Sequence, residues 1–254
     1  MTSLEIVPLQ GLPLIRAGDD LVELVASALK LNGVTPRAGD VLVVAQKIVS
    51  KAEGRVVDLA TIEPSAQAVA LAADVDKDPR LVEVILSESV RVVRARRGVL
   101  IVEHRLGFVM ANAGVDKSNV APVDGSHRVL LLPENPDRSA ETLRRGLAAV
   151  TGIDVAVVIN DSFGRPWRQG TASVAIGLAG LPALIDLRGR PDLFGRRLEV
   201  SVIGFADEVA AAASLLMGQA DEALPAVLIR GLRWSAPEST AASIIRSPNE
   251  DMFR

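Results

Sequence analysis

Cysteine is absent from the 254-residue sequence, which excludes disulfides, thiolate metal sites and a cysteine nucleophile. No apolar run reaches the length of a membrane-spanning helix, and the first residues lack the basic-then-apolar pattern of a signal peptide. The net charge of -3 argues against general binding of nucleic acids or membrane surfaces. With 49% hydrophobic residues, the composition predicts a globular, cytoplasmic protein.

Standard nucleotide-binding motifs are also absent. Neither G-x-x-x-x-G-K-[ST] nor G-x-G-x-x-G occurs, so any nucleotide site must be built without a P-loop or a dinucleotide-binding fingerprint. His104 and His127 form no H-x-x-x-H pair, and each is better explained as an ordinary surface or core residue. Only five lysines are present, and Lys47, Lys51 and Lys117 lie in polar clusters. Their compact ammonium groups can serve a specific geometry, although chance clustering is an alternative.

Residues 155–170 carry the strongest chemical signal. The apolar, β-branched first half predicts a strand buried on both faces, which ends at the N-D-S triplet 160–162. Carboxylate, amide and hydroxyl oxygens there, above all those of Asp161, suit a hard cation. Arg165 and Arg168 suit phosphate or carboxylate partners. The alternative is that Asp161 only turns the chain and that the Gly-Arg-Pro which follows is a loop.

Two further polar clusters follow apolar strands. In residues 46–55, Lys47 and Lys51 are four apart and would share one face of a helical turn. An anion such as phosphate would relieve their repulsion, while the alternative is a solvated basic turn. In residues 112–119, Asp116 is a candidate second metal carboxylate, or else a turn residue.

The hydrophobic pattern predicts a mixed α/β fold. We expect one βαβ unit from the strand at 129–133, a helix capped by Asp137 or Ser139, and the strand at 155–159, with a polar cluster at its carboxyl end. We also expect Asp207 to cap the helix at 208–216. Further strands are predicted at 4–8, 41–45, 90–93, 99–103, 171–177, 184–187, 198–203 and 226–229, and further helices at 21–31, 65–73 and 79–87.

Five polar clusters, at residues 11–15, 46–55, 112–119, 160–168 and 217–222, together offer carboxylates, lysines, arginines and glycine-rich backbone. That inventory suits a nucleoside triphosphate with one or two divalent cations, which would neutralise charge on a transferred phosphoryl group.

Four runs, in order, resemble the coenzyme F420-0:L-glutamate ligase family, also called F420 gamma-glutamyl ligase. They are Q-K-I-V-S-K-A-E-G-R, A-N-A-G-V-D-K-S-N, N-D-S-F-G-R-P-W-R and M-G-Q-A-D-E. The early G-L-P and the terminal E-D-M-F-R are also similar to that family, so the resemblance covers nearly the whole chain. It implies a mixed α/β (α+β) fold of the family's own, not a P-loop fold, and an intertwined homodimer. We expect one ligase unit over residues 1–254, undivided or as two subdomains, without the C-terminal nitroreductase-like domain of some members.

The implied activity is GTP-dependent ligation of L-glutamate to the lactyl carboxylate of coenzyme F420-0 through an acyl phosphate. Further glutamates are then added through gamma linkages. The resemblance implies Mg²⁺ or Mn²⁺, as two divalent cations, with K⁺ as a further cation. Two alternatives stay open: a metal-dependent phosphohydrolase in which Asp161 and Asp116 activate water, and a non-catalytic nucleotide-binding protein.

The resemblance also implies the site residues. Asp116 and Asp161 would be metal ligands, with Ser162 and Gln219 at a second metal. From their charge, Arg165 and Arg168 would orient a substrate carboxylate or phosphate and complete the catalytic set with the two aspartates. The residues expected to contact GTP are Leu12, Pro13, Leu14, Ile15, Gln46, Lys47, Lys51, Asn119, Met217, Gly218, Gln219, Ala220, Asp221, Glu222, Ala223 and Leu224.

Overall fold

The computed structural model describes residues 3–120, 127–247 and 249–252. Parts of the N-terminal pattern and of the terminal E-D-M-F-R motif, namely residues 1–2 and 253–254, lie outside the described residues. The strands are β1 (Glu5–Pro8), β2 (Val41–Ala45), β3 (Val56–Asp58), β4 (Ser89–Arg96), β5 (Val99–His104), β6 (Val109–Ala111), β7 (Arg128–Leu130), β8 (Ala156–Arg165), β9 (Arg168–Ala179), β10 (Ile185–Asp186), β11 (Val202–Ile203) and β12 (Ala226–Arg230). The helices are α1 (Leu21–Leu31), α2 (Gln46–Ala52), α3 (Ala66–Val75), α4 (Pro79–Ser87), α5 (Pro136–Thr151) and α6 (Phe205–Met217).

A five-stranded mixed sheet in the order β1-β12-β2-β8-β9 forms the centre of the fold. Its middle strands β2 and β8 run parallel, with Ala45 opposite Asn160, while the other neighbouring pairs are antiparallel. As a result, the ends of β1 and β2, the start of β12 and the middle of β8 meet at the same side of the sheet. We call this side the carboxyl edge. It gathers four of the five predicted polar clusters and part of the fifth.

Both faces of the sheet are covered, which explains the continuous apolar sequence of β2. Leu42 and Val44 point into a core shared with α1, α2 and α5, while Val41 and Val43 point into a core shared with α6. Each fully buried aliphatic side chain contributes about 1.5–3 kcal/mol. The sheet is therefore a rigid base from which the residues of its carboxyl edge project.

A third hydrophobic cluster lies outside the central sheet. The inner faces of α3 and α4 pack there against β5 and β7, with Ile85 and Leu100 fully buried. Around it are the sheets β4-β5-β6 and β3-β7. This part of the chain carries residues 112–119 towards the carboxyl edge. None of the helices in the described ranges is long and apolar enough to cross a membrane.

The mixed α/β prediction is confirmed, and α1, β2 and α4 have the predicted bounds. The βαβ prediction is wrong, because β7 pairs with β3 in a separate sheet and the parallel neighbour of β8 is β2. The predicted cap at Asp207 is also wrong. Helix α6 begins at Phe205 after Gly204, and the Asp207 carboxylate instead accepts a hydrogen bond from the Ala175 N–H at 2.9 Å.

Strand β8 is longer than predicted. It continues through Asp161 to Arg165 because β9 pairs with it over its whole length. The register shifts between Ile159 and Asn160, which leaves Ile176 of β9 as an extra residue opposite the start of the polar run. Bulges of this kind re-aim side chains and are common beside active sites. The predicted strand at 198–203 shrinks to β11, Val202–Ile203.

Candidate active site

Helix α2 begins directly at the end of β2 and presents both lysines of the second polar cluster. Gln46, its first residue, is buried and accepts a hydrogen bond from Ser50 Oγ at 2.9 Å. Lys47 and Lys51 lie one turn apart, so they share a face as predicted. Burial and the charge of Lys47 both lower the pKa of Lys51. The predicted repulsion between the two ammonium groups is therefore present in the fold.

Lys47 forms an ion pair with Asp116. Its Nζ lies 2.7 Å from Asp116 Oδ2 and also donates a hydrogen bond to Ser118 Oγ. Ser118 binds the same carboxylate twice, with its N–H 2.7 Å from Oδ1 and its hydroxyl 2.9 Å from Oδ2. Burial opposes ionisation of Asp116, but Lys47 and Ser118 outweigh it and lower the pKa of Asp116. Asp116 is therefore an anion held by three donors.

A left-handed turn delivers Asp116 to this position. Asn112, Ala113 and Gly114 all have positive φ, between 53° and 68°. A Cβ at Gly114 would lie 2.8–2.9 Å from the side chains of Leu132 and Met110, so only glycine fits. Non-glycine residues in this region cost on the order of 1–3 kcal/mol each and persist where the surrounding structure holds them. Here Asp116 exchanges two backbone hydrogen bonds with Leu130 just after the turn.

Asp161 faces the same cluster from β8. Burial raises the pKa of Asp161 to about 7, and the negative charge of Asp116 adds to the rise. The Ser162 N–H, the charge of Lys47 and the Gln46 side chain act in the opposite direction. The side chain is still partly open to solvent, as it would be on the floor of a cleft. Two carboxylates thus share the charge of one nearby lysine, and a divalent cation would stabilise the pair.

The end of α6 closes the cluster from the other face of β8. Asn160 Nδ2 lies 3.4 Å from Met217 Sδ, and Asn119 Nδ2 donates to the Ala220 carbonyl oxygen at 3.2 Å. Lys51 Nζ donates to the Asn119 carbonyl oxygen at 2.6 Å. The predicted segments at 46–55, 116–119, 160–162 and 217–220 are therefore brought together.

The loop after α6 holds its own carboxylate. The Ala220 N–H donates to Glu222 Oε2 at 2.8 Å, and backbone N–H groups of Ala220, Glu222 and Gln219 lower the pKa of Glu222. Gly218 has φ of 70°, and a Cβ there would collide with the Glu222 carboxyl group. Within the expected nucleotide segment, Met217 to Leu224, the anionic group that the backbone N–H groups bind is thus the chain's own Glu222 carboxylate.

The segment with Leu12, Pro13, Leu14 and Ile15 follows β1 at the same edge. Ile15 is buried in the core, whereas Leu14 is 87% exposed. The Gly18 N–H donates to the Ala52 carbonyl oxygen at 2.9 Å, which ties this segment to the end of α2. The segment therefore lies beside the end of α2.

Arg165 and Arg168 are not brought to the aspartates. They lie at the exposed end of the β8-β9 hairpin, which is roughly 13 Å along the strand from Asp161 at about 3.3 Å a residue. Arg165 Nη2 donates to the Gln169 carbonyl oxygen at 2.9 Å and so braces its own turn. A substrate-orienting role for these two arginines stays a prediction.

The donor set fits a divalent cation that arrives with phosphate. Within the described ranges, no group of three or more His, Asp or Glu side chains is placed to hold a metal ion. The carboxylates of Asp116 and Asp161 remain, with Ser162 next to Asp161 along β8 and Gln219 in the loop after α6. Mg²⁺ is typically held by one or two carboxylates, substrate phosphates and water. This set fits that pattern better than a permanent all-protein cage.

Ser118 is the site residue that the sequence analysis missed. It lies in the A-N-A-G-V-D-K-S-N run but was given no role there. The signal was local, because a serine two residues after an aspartate commonly returns hydrogen bonds to that carboxylate in a turn. Its contact with Lys47 spans 71 residues and has no local signal.

Comparison with known proteins identifies the family of the chain. A family model described as F420-0:Gamma-glutamyl ligase matches residues 11–231. A protein of Methanopyrus kandleri named Coenzyme F420:L-glutamate ligase is 49% identical over 99% of this chain and 97% of its own length. Proteins of the same name are 46% identical in Methanothermobacter thermautotrophicus, over 99% of both chains, and 45% identical in Archaeoglobus fulgidus, over 98% of this chain and 96% of the relative. The chain therefore belongs to the F420-0:gamma-glutamyl ligase family.

Proposed function

We propose that this protein ligates L-glutamate to the lactyl carboxylate of coenzyme F420-0, using GTP, and then adds further glutamates through gamma linkages. The observation that carries the proposal is the carboxyl edge, where two lysines, two carboxylates and an anion-binding loop converge. The names of the relatives support the acceptor and the amino acid. GTP and the cation are supported by the chemistry of the site alone.

The proposed chemistry has two steps. The acceptor carboxylate attacks the γ-phosphorus of GTP, the bond between γ-phosphorus and the bridging oxygen breaks, and GDP leaves with an acyl phosphate formed. The glutamate amine then attacks the acyl carbon. A C–N bond forms, the bond from carbon to the phosphate oxygen breaks, inorganic phosphate leaves and the amine proton passes to solvent. A carboxylate is a poor acyl donor, so phosphorylation makes the amide bond accessible.

Each residue of the cluster has a role in this scheme. Asp116 and Asp161 would hold Mg²⁺ or Mn²⁺, with Ser162 and Gln219 at a second cation, and the cations would neutralise charge on the transferred phosphoryl group. Lys51 and Lys47 would bind the phosphates as point charges. Backbone N–H groups after Gly218 would donate hydrogen bonds to a further anionic oxygen. Asp161 must be ionised to bind a cation, so neutral or higher pH favours the active form.

A homodimer is part of the proposal. The loop between β10 and β11 exposes large apolar side chains, with Leu193 98%, Phe194 94% and Val200 85% exposed. Asp192 Oδ1 accepts hydrogen bonds from the N–H groups of Phe194 and Arg196, which hold the backbone of this turn. Ordered, exposed apolar groups commonly mark a protein interface. Sedimentation equilibrium of the wild type and of Phe194→Asp tests it, since we expect a dimer and a monomer respectively.

The direct test is a reaction with defined substrates. The purified protein is incubated with F420-0, GTP, Mn²⁺ and L-glutamate, and the products are identified by mass. We expect glutamylated coenzyme and GDP, with GTP cleavage that requires both the acceptor and glutamate. Full-rate GTP cleavage without either would identify a phosphohydrolase. GTP binding without product would identify a non-catalytic nucleotide-binding protein.

A further inference from the structure

Lys47 occupies the place on Asp116 that a cation would need. Its Nζ lies 2.7 Å from Asp116 Oδ2, and the Ser118 hydroxyl binds the same oxygen at 2.9 Å. The other oxygen, Oδ1, accepts the Ser118 N–H at 2.7 Å. Asp116 Oδ2 therefore already accepts two donors of this chain, and Oδ1 accepts one. The ion pair is partly open, with 25% and 38% of the two side chains exposed.

We propose that Lys47 is a placeholder for the divalent cation, and that its displacement from Asp116 couples cation binding to nucleotide binding. This inference rests on the proposed function, because it concerns the same site. It assigns Lys47 two successive partners: the Asp116 carboxylate in the empty site and a phosphate in the loaded one. It also makes Ser118 a positioning residue, since its hydroxyl holds the ammonium group on Asp116 until the cation arrives.

The coupling follows from charge and geometry. Asp116 Oδ2 already accepts two donors, so a divalent cation that binds this oxygen must displace one of them, and repulsion between the two positive charges favours the loss of Lys47. Once released, Lys47 has lost its counter-ion while Lys51 remains on the same face of α2. Lys51 is held at the Asn119 carbonyl oxygen, 2.6 Å away. The freed pair of ammonium groups then favours an anion between them.

Reciprocity makes the coupling measurable in both directions. If the cation raises affinity for the nucleotide by some factor, the nucleotide raises affinity for the cation by the same factor. A cation that binds phosphate directly would also give coupling in this sense. The distinctive consequence of a placeholder is different. Removing Lys47 should tighten binding of the cation alone, while it weakens binding of the nucleotide.

The test is Mn²⁺ binding without nucleotide, measured from the electron paramagnetic resonance signal of free Mn²⁺ at pH 8. In Lys47→Met we expect Mn²⁺ affinity to rise up to about fivefold, the upper end of what a partly exposed ion pair contributes. Lys51→Met is the matched control, because it removes the same charge four residues away without touching Asp116. It should change Mn²⁺ affinity less than about twofold.

A second variant keeps the test decisive if Lys47→Met does not fold. Lys47→Arg retains the charge and can bind both carboxylate oxygens of Asp116 in a planar fork. It should weaken Mn²⁺ binding several-fold. Equal or weaker Mn²⁺ binding in Lys47→Met, or equal or tighter binding in Lys47→Arg, would overturn the proposal.

The wild type separates this inference from the proposed function. GTP binding is titrated by calorimetry with and without Mn²⁺. If the wild type binds GTP and ligates glutamate but Lys47→Met leaves Mn²⁺ affinity unchanged, the placeholder role fails and the ligase stands. If the wild type binds neither GTP nor Mn²⁺, both fail together.

Discussion

Two charged clusters of this molecule are built from similar residues and behave in opposite ways. The first, which we call the core cluster, is Glu88 with Arg55, Arg105 and His104. Arg55 Nη2 lies 2.8 Å and Arg105 Nε 3.2 Å from Glu88 Oε2, and His104 Nε2 lies 3.5 Å away. Burial opposes ionisation of Glu88, but the contacts with His104, Arg55 and Arg105 outweigh it and lower the pKa of Glu88 to about 2.

The second, which we call the edge cluster, is Asp116 and Asp161 with Lys47 and Lys51. Here burial raises the pKa of Asp161 to about 7, and its neighbours do not compensate. The core cluster has two arginines for one carboxylate, whereas in the edge cluster Lys47 pairs with Asp116 and Lys51 binds the Asn119 carbonyl oxygen. A charge that its neighbours compensate has a structural role, whereas an uncompensated charge marks a site that can bind a ligand. The comparison therefore predicts opposite results from matched substitutions.

The largest expected effect is that of Asp161→Asn. Ligation should fall on the order of 10³-fold, because a preorganised charge at the reacting phosphoryl group is lost. The fold should gain about 1–2 kcal/mol at pH 8, since one pKa unit corresponds to about 1.4 kcal/mol and solvent screening reduces the full shift. Initial rates and urea unfolding measure the two effects. A near-normal rate at saturating Mn²⁺ would remove Asp161 from the cation site.

Glu88→Gln should show the reverse. Unfolding free energy should fall by about 2–4 kcal/mol, because two arginines lose their buried counter-ion, while the rate per folded molecule stays within about twofold. Since the pKa of Glu88 is lowered in the fold, its contribution is present above pH 4.5 and is lost as the pH falls towards 2. The wild type and the variant should thus converge in acid. A large loss of rate with intact stability would show that the core cluster is functional.

The pH dependence of Mn²⁺ binding further tests the contrast between the core cluster and the edge cluster. Asp161 has a raised pKa, so its protonated form predominates below about pH 7 and resists the cation. Mn²⁺ affinity should fall about tenfold for each pH unit below 7. The groups that face Asp161 are Lys47, Asp116 and Gln46, and the pKa of Asp116 is lowered because Lys47 and Ser118 outweigh its burial. A flat profile over that range would mean that Asp161 is already ionised at pH 5.5.

The smallest effect concerns Lys51→Met. We expect the KM for GTP to rise about tenfold, with a smaller change in kcat, because a charge-assisted contact to phosphate contributes about 1.5–3 kcal/mol and water replaces part of it. The two constants come from initial rates at varied GTP. An unchanged KM would place Lys51 outside the phosphate site.

The sequence predicted the edge cluster because its signals are local. Each polar run directly follows an apolar strand, and the spacing of Lys47 and Lys51 alone gives their shared face. The left-handed turn that delivers Asp116 and the Ser118 contact with Lys47 depend on distant packing, so neither could be predicted. The length of β8 was also missed, because it depends on pairing with β9.

The core cluster could not be predicted from the sequence, because it also depends on distant packing. Glu88 directly follows α4 and has no motif around it. Its partner Arg55 directly precedes β3, and its partner His104 is the last residue of β5. His104 was predicted to be an ordinary surface or core residue, and it is indeed fully buried. Its Nδ1 accepts the Leu106 N–H at 2.9 Å, which leaves Nε2 facing Glu88. Only the fold brings these groups together.

The most direct test of the account is one product analysis on three proteins. Wild type, Asp161→Asn and Glu88→Gln are incubated at low temperature with F420-0, GTP, Mn²⁺ and L-glutamate, and products are read by mass. We predict glutamylated coenzyme and GDP from the wild type and, per folded molecule, from Glu88→Gln, with almost none from Asp161→Asn. Comparable product from Asp161→Asn, or none from the wild type, would contradict the assignment of the edge cluster as a glutamate ligase site.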